Sequence, residues 1–126
     1  MICLGLESSA HTFGCGIVSS KKNILSDARD MLKTEKGGII PSEAAEHHRK
    51  IGKKIIEEAI LKAKYPKIDL ISFSRSPGLP PSLHEGRKIA LELGKEMNLP
   101  VLGVNHVISH LSSAHFHTKV NDPVYL

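Results

Sequence analysis

The stretch "ICLGLESSAHTFGCGIVSSKKNILSDARDML", Ile2 to Leu32, decides the fold. It divides into three short apolar runs: Ile2–Ser9, His11–Ser20 and Asn23–Leu32. Each carries the glycine, β-branched or alternating residues of a half-buried strand. A small polar turn separates the first two, and Lys21-Lys22 reads as the tip of a hairpin. Three consecutive antiparallel strands are therefore expected at the start of the chain.

Downstream the period changes. "KTEKGGIIP" reads as a loop, and Pro41 opens a long helix, since its missing N–H is harmless in a first turn. That helix is expected to reach about Lys64, with Ala44, Ile51, Ile55, Ala59 and Ala63 on one face. "IDLISFSRS" is a strand ending in the turn "SPGLPPS", and "SLHEGRKIALELGKEM" is a second helix closed by Asn98-Leu99-Pro100. "PVLGVNH" is a short buried strand and "VISHLSSAHFH" a third helix. Pro123 precedes one more apolar start, "VYL". The order β-β-β-α-β-α-β-α predicts an α/β fold, a mixed sheet covered on both faces in the ribonuclease-H-like arrangement.

Composition sets bounds on function. A chain of 126 residues is one domain, long enough to bury roughly two-thirds of its unfolded surface. It has no apolar run of roughly 18 residues and no basic-then-apolar leader, so a cytoplasmic location without membrane contact is expected. Cys3 and Cys15 sit in alternating apolar segments and read as small buried hydrophobes. The net charge of +4 suits an acidic partner such as RNA, whereas five Phe and Tyr and no Trp argue against a base-stacking platform.

Four motifs carry chemistry. "GLESSAHTFGCGIV" joins two strands through small hydroxyl residues, so that backbone N–H groups could approach a phosphate, with Ser8 and Ser9 adding donors. A plain hairpin satisfies the same spacing. "GGIIPSEAAEHHRKIGKK" places His47, His48, Arg49, Lys50, Lys53 and Lys54 close together on the first helix. They form either a solvated face or a surface for nucleic acid or an acidic protein. "SRSPGLPPSL" leads from a strand into a helix N-terminus, where an anion or a neighbouring loop can dock.

The fourth is "VNHVISHL". His106 and His110 stand four apart, with Cβ atoms about 5–6 Å apart on one helix face. Both rings could reach one ion at about 2.0–2.1 Å if it is zinc, with further ligands supplied from elsewhere. His117 lies about 10 Å further along the axis and cannot share that ion. A zinc protease would need glutamate directly after the first histidine, and that residue is Val107.

In this order, "LGLESSAHTFGCGIV", "GGIIPSEAAEHH", "SPGLPPSL" and "GVNHVISHL" together resemble the N-terminal part of the TsaD family, which makes threonylcarbamoyladenosine in tRNA. That family was formerly labelled an O-sialoglycoprotein endopeptidase. The "AHTFG" wording resembles its archaeal and eukaryotic branch, which works in the KEOPS assembly. The resemblance implies the first half of an actin-like ATPase (ASKHA) fold, with residues 1–126 as its first domain and the second domain missing from a truncated chain. It implies His106 and His110 as metal ligands for iron or zinc, and Ser8, Ser9 and His11 as a phosphate-facing loop for ATP or threonylcarbamoyl-adenylate. The implied reaction transfers threonylcarbamoyl to the exocyclic amine of the adenosine beside the anticodon. The implied partners are tRNA and KEOPS-type subunits, including a small kinase-like protein.

Two departures accompany the resemblance. Ser76 stands where the family usually carries glycine, after an unusual Arg75. The family's metal-ligating tyrosine begins a "YVSGG"-type loop just after a segment like "DPVYL", one residue past Leu126, and Tyr125 does not match it. No convincing nucleophilic serine or cysteine is present. The alternatives are a non-catalytic scaffold domain that binds partners and, disfavoured by Val107, a metal-dependent glycoprotease.

Overall fold

The computed structural model describes residues 1–34 and 37–117. The expected apolar start near Pro123, Tyr125 and the middle of the 33–41 loop lie outside those residues. The elements run β1 (Ile2–Glu7), β2 (Thr12–Ser19), β3 (Ile24–Met31), α1 (Pro41–Lys62), β4 (Leu70–Ser76), α2 (Pro80–Met97), β5 (Val101–Asn105) and α3 (His106–His117). One five-stranded sheet has the order β3-β2-β1-β4-β5. The β1–β2 and β2–β3 pairs are antiparallel, and β1–β4 and β4–β5 are parallel. This is the ribonuclease-H-like arrangement the element order predicts, except that both long helices pack on one face and the other, expected to be covered, carries a groove.

Strand alternation gives the sheet two unlike faces. Leu4 and Leu6, Phe13, Cys15 and Ile17, Ala28, and Ile71 and Phe73 point to one side and are buried. α1 and α2 close that side with Ala44, Ile55, Ile56, Ala59 and Ala90. Burial pushes the Cys15 thiol up to about 12, with Asp27 adding to the rise, so this cysteine is an inert core residue. The opposite side carries Gly5, Gly14, Gly16 and Ser72. Together with Glu7 and Ser109 they line a groove of about 420 Å³.

Local signals set the element ends. The β2–β3 hairpin turns at Lys21-Lys22, where Lys22 has φ 61° and its N–H donates to the Ser19 carbonyl at 3.0 Å. α1 starts at Pro41 as expected and stops two residues before Lys64. α2 starts at Pro80, two residues ahead of expectation, because Pro80 and Pro81 both fit a first turn whose N–H groups have no helical acceptor. Asn98 ends α2 in the left-handed conformation, with φ 53°. His106 begins α3 rather than ending β5. Asn105 caps the helix, its Oδ1 accepting from the N–H groups of Val107 at 2.9 Å and Ile108 at 3.1 Å.

Candidate metal and nucleotide site

The parallel strands β1, β4 and β5 all finish at one edge of the sheet, at Glu7, Ser76 and Asn105. The carboxyl edge of parallel strands is where open α/β sheets present residues to ligands. His106 follows β5 directly, and His110 stands one turn on along α3. The two rings meet edge to face, with centroids 4.5 Å apart and an interplanar angle of 84°. Their Nε2 atoms face each other at 3.0 Å.

The other ring nitrogen of His106 is held as well. Nδ1–H donates to Glu7 Oε2 at 3.0 Å, linking residues 99 apart in the chain. The second oxygen, Glu7 Oε1, accepts the Ser9 backbone N–H at 2.6 Å. One carboxylate thus joins the Ser8–Ser9 turn to the histidine pair. Sequence reading missed Glu7. Its parity on β1 with Cys3 and Gly5 was visible, but nothing local says which element meets that face.

The turn is clamped from several sides. Ser8 is fully buried, and its N–H donates to Ser74 Oγ at 3.0 Å. A Cβ placed on Gly86 of α2 would strike Ser8 Oγ, so glycine there lets helix and turn come together. The Ser9 carbonyl accepts the Leu79 N–H at 2.7 Å, and a Cβ on Gly78 would lie 2.7 Å from that same oxygen. The "SPGL" loop therefore docks backbone to backbone on the turn, with Ser76 and Arg75 in place. His11 contacts Met31 Sδ through Nε2 at 3.1 Å. His48 Nε2–H donates to the Ala10 carbonyl at 2.8 Å.

That last contact revises the basic cluster on α1. His48 is fully buried and belongs to the core. His47 donates to Asp30 Oδ1 at 2.7 Å, Arg49 pairs with Glu85 at 3.2 Å and Lys50 pairs with Glu46 at 2.8 Å. Lys53 and Lys54 are exposed.

The donor set fits a metal ion in part. Two nitrogens bound to one tetrahedral zinc at about 2.0–2.1 Å stand roughly 3.3 Å apart, so a small opening of the 3.0 Å pair would admit the ion. A carboxylate on the far nitrogen of a ligand histidine is the usual orienting partner. Among the described residues, no group of three or more His, Cys, Asp or Glu is placed to hold an ion.

Residues 23–126 match the TsaD family, tRNA N6-adenosine threonylcarbamoyltransferase. The chain belongs to this family. Over 129 residues it is 45 % identical to the tRNA N6-adenosine threonylcarbamoyltransferase of Nanoarchaeum equitans, a match covering all of this chain and 40 % of that protein. A probable bifunctional tRNA threonylcarbamoyladenosine biosynthesis protein of Methanocaldococcus jannaschii is 43 % identical over 126 residues, covering all of this chain and 24 % of that one. The chain thus spans well under half the length of either TsaD relative. YeaZ from Pseudomonas aeruginosa superposes with a TM-score of 0.68 at 15 % identity, covering 94 % of this chain and 49 % of that one. At that identity the likeness speaks for the fold, and it agrees with a ribonuclease-H-like domain in the TsaD chain.

Proposed function

We propose that this chain forms the first domain of a tRNA N6-adenosine threonylcarbamoyltransferase, with His106 and His110 holding one iron or zinc ion beside a nucleotide cleft. The observation that carries the proposal is the convergence of the two Nε2 atoms at 3.0 Å, on a ring tied through Glu7 to the Ser8–Ser9 turn. A bound ion would supply Lewis acidity and a template for the acyl-phosphate of threonylcarbamoyl-adenylate. The protein's own part is positional. Asn105 fixes the start of α3, so both imidazoles leave the same helix face. Glu7 and the docked Leu79 hold the turn where a donor phosphate would lie. The Ser8 hydroxyl is packed against Gly86, and the Ser8 and Ser9 N–H groups already donate to Ser74 and Glu7, so phosphate contact would fall to the His11 end of the turn. The exposed Lys53 and Lys54 suit an acidic partner, and tRNA and KEOPS-type subunits with a kinase-like member are the partners this reading implies. A cytoplasmic place of work on tRNA belongs to this reading; no described helix is long and apolar enough to cross a membrane. Hydrolysis of glycoproteins gains no support, because Val107 occupies the place of a water-activating carboxylate.

A chimera tests this. The chain would replace the matching N-terminal 40 % of the Nanoarchaeum equitans relative. The product would be checked for a cooperative melt and assayed for threonylcarbamoyladenosine in tRNA by mass spectrometry of nucleosides. Transfer is expected, with His106→Ala and His110→Ala each reducing it by roughly 100-fold or more. A folded chimera that makes no modified adenosine would point instead to a partner-binding scaffold.

A further inference from the structure

Glu7 is exposed over 43 % of its side chain and stands beside two imidazoles, so it could be taken for a third ligand to the same ion. Its place on the ring argues otherwise: Oε2 meets His106 Nδ1, whereas an ion held by Nε2 would lie across the imidazole from it. Each oxygen already has one donor: the Ser9 N–H at 2.6 Å on Oε1 and the His106 Nδ1–H at 3.0 Å on Oε2. An ionised carboxylate accepts only, so the proton between Glu7 and His106 resides on the imidazole. In the neutral ring that leaves Nε2 with a free lone pair, aimed at His110 Nε2 3.0 Å away. In the metal-free protein the array is directional: Ser9 N–H to Glu7, His106 Nδ1–H to Glu7, and His110 Nε2–H to His106 Nε2; to ligate through Nε2, His110 would carry its proton on Nδ1 instead.

We propose that Glu7 is a positioning residue, not a ligand: it fixes His106 as the Nδ1–H tautomer, points Nε2 at the ion's place, and fastens that ring to the Ser8–Ser9 turn. This rests on the metal reading given above and deepens it. Two consequences follow from the shared carboxylate. Ser9 cannot move without loosening His106, so a ligand seated on the turn and an ion seated on the ring each favour the other's ordered partner. Loss of Glu7 should weaken metal binding by the roughly 10- to 100-fold typical of orienting partners, without removing a ligand.

The test reads the tautomer directly. In the metal-free 126-residue protein at slightly alkaline pH, two-bond ¹H–¹⁵N correlation spectra of histidine side chains are expected to show His106 protonated on Nδ1. Glu7→Ala should give the mixture of tautomers of a free imidazole, and Glu7→Gln, whose carbonyl can still accept, should stay closer to wild type. His106→Ala identifies the resonance. Amide spectra with native dispersion would establish that each variant is folded. In parallel, Co²⁺ absorption in the active chimera should retain its band positions in Glu7→Ala while the affinity falls. An unchanged His106 tautomer in a folded Glu7→Ala variant would overturn the proposal. So would band shifts showing that a ligand has gone. Failure of Co²⁺ to respond to His106→Ala would instead sink the metal reading, whatever Glu7 does to the tautomer.

Discussion

The imidazole of His48 is fully buried between α1 and the sheet, donating to the Ala10 carbonyl with its ring centroid 5.5 Å from that of Phe13. Burial holds its pKa below the ordinary 6.5, against the opposing pull of the Ala10 carbonyl and with a smaller push from His47. The sign follows from comparing the two states. In the unfolded chain this residue takes up a proton near 6.5, while in the folded protein it resists until the pH is lower. Its contribution to stability is therefore complete above about pH 6.5 and is lost progressively below it, down to the folded value. Urea midpoints at about pH 7.5 and about pH 5.5 should differ, and the difference should shrink in His48→Leu. An equal difference in the variant would rule this source out. The position of His48 was legible. It lies four residues after Ala44 and seven before Ile55, on the stripe read as apolar. Its basic neighbours made it look like surface, yet on a helix the angle of a residue decides burial before its type does. Glu7 was harder to read, because its partners are set by tertiary contact across 99 residues.

α3 is the element on which the site depends most. It follows β5 with no loop, and its start is held by Asn105 Oδ1 on two amides and by Ser109 Oγ–H donating to the Asn105 carbonyl at 3.0 Å. Asn105→Ala should cost about 1 kcal/mol, the usual loss for an N-cap. It should also speed hydrogen exchange at the Val107 and Ile108 amides, while Asn105→Asp leaves exchange near wild type. Unaltered exchange in Asn105→Ala would show that packing on β4 and β5 suffices. The order of elements was legible because the period switches cleanly from strands to helices, and prolines mark the starts of α1 and α2. The junction at His106 was read one residue late. A strand that runs straight into a helix gives no turn residue to mark the change, and only the cap shows it.

For the whole molecule, the expectation concerns what residues 1–126 do alone. Zinc sites use three or four protein ligands, and two imidazoles oriented by one carboxylate fall short of that. Isothermal titration of the 126-residue protein with Zn²⁺ should show affinity at least about 10-fold weaker than the chimera, and no threonylcarbamoyl transfer. A tight one-to-one complex that survives His106→Ala would place the ion elsewhere. The mixed sheet could be anticipated from the order of elements, and the buried face of each strand from its alternation. Completion of the donor set could not, because a histidine pair specifies a direction but not what approaches from the other side.

Glu7 lies in the first strand and His106 beyond the fifth, so the bond between them waits for nearly the whole sheet to close. A chain emerging from the ribosome has its serine turn long before it has its imidazoles. The two rings can pair as soon as their own helix forms, but the carboxylate that steers one of them arrives only with the closed sheet, so the aim of the pair is a late product of the whole architecture.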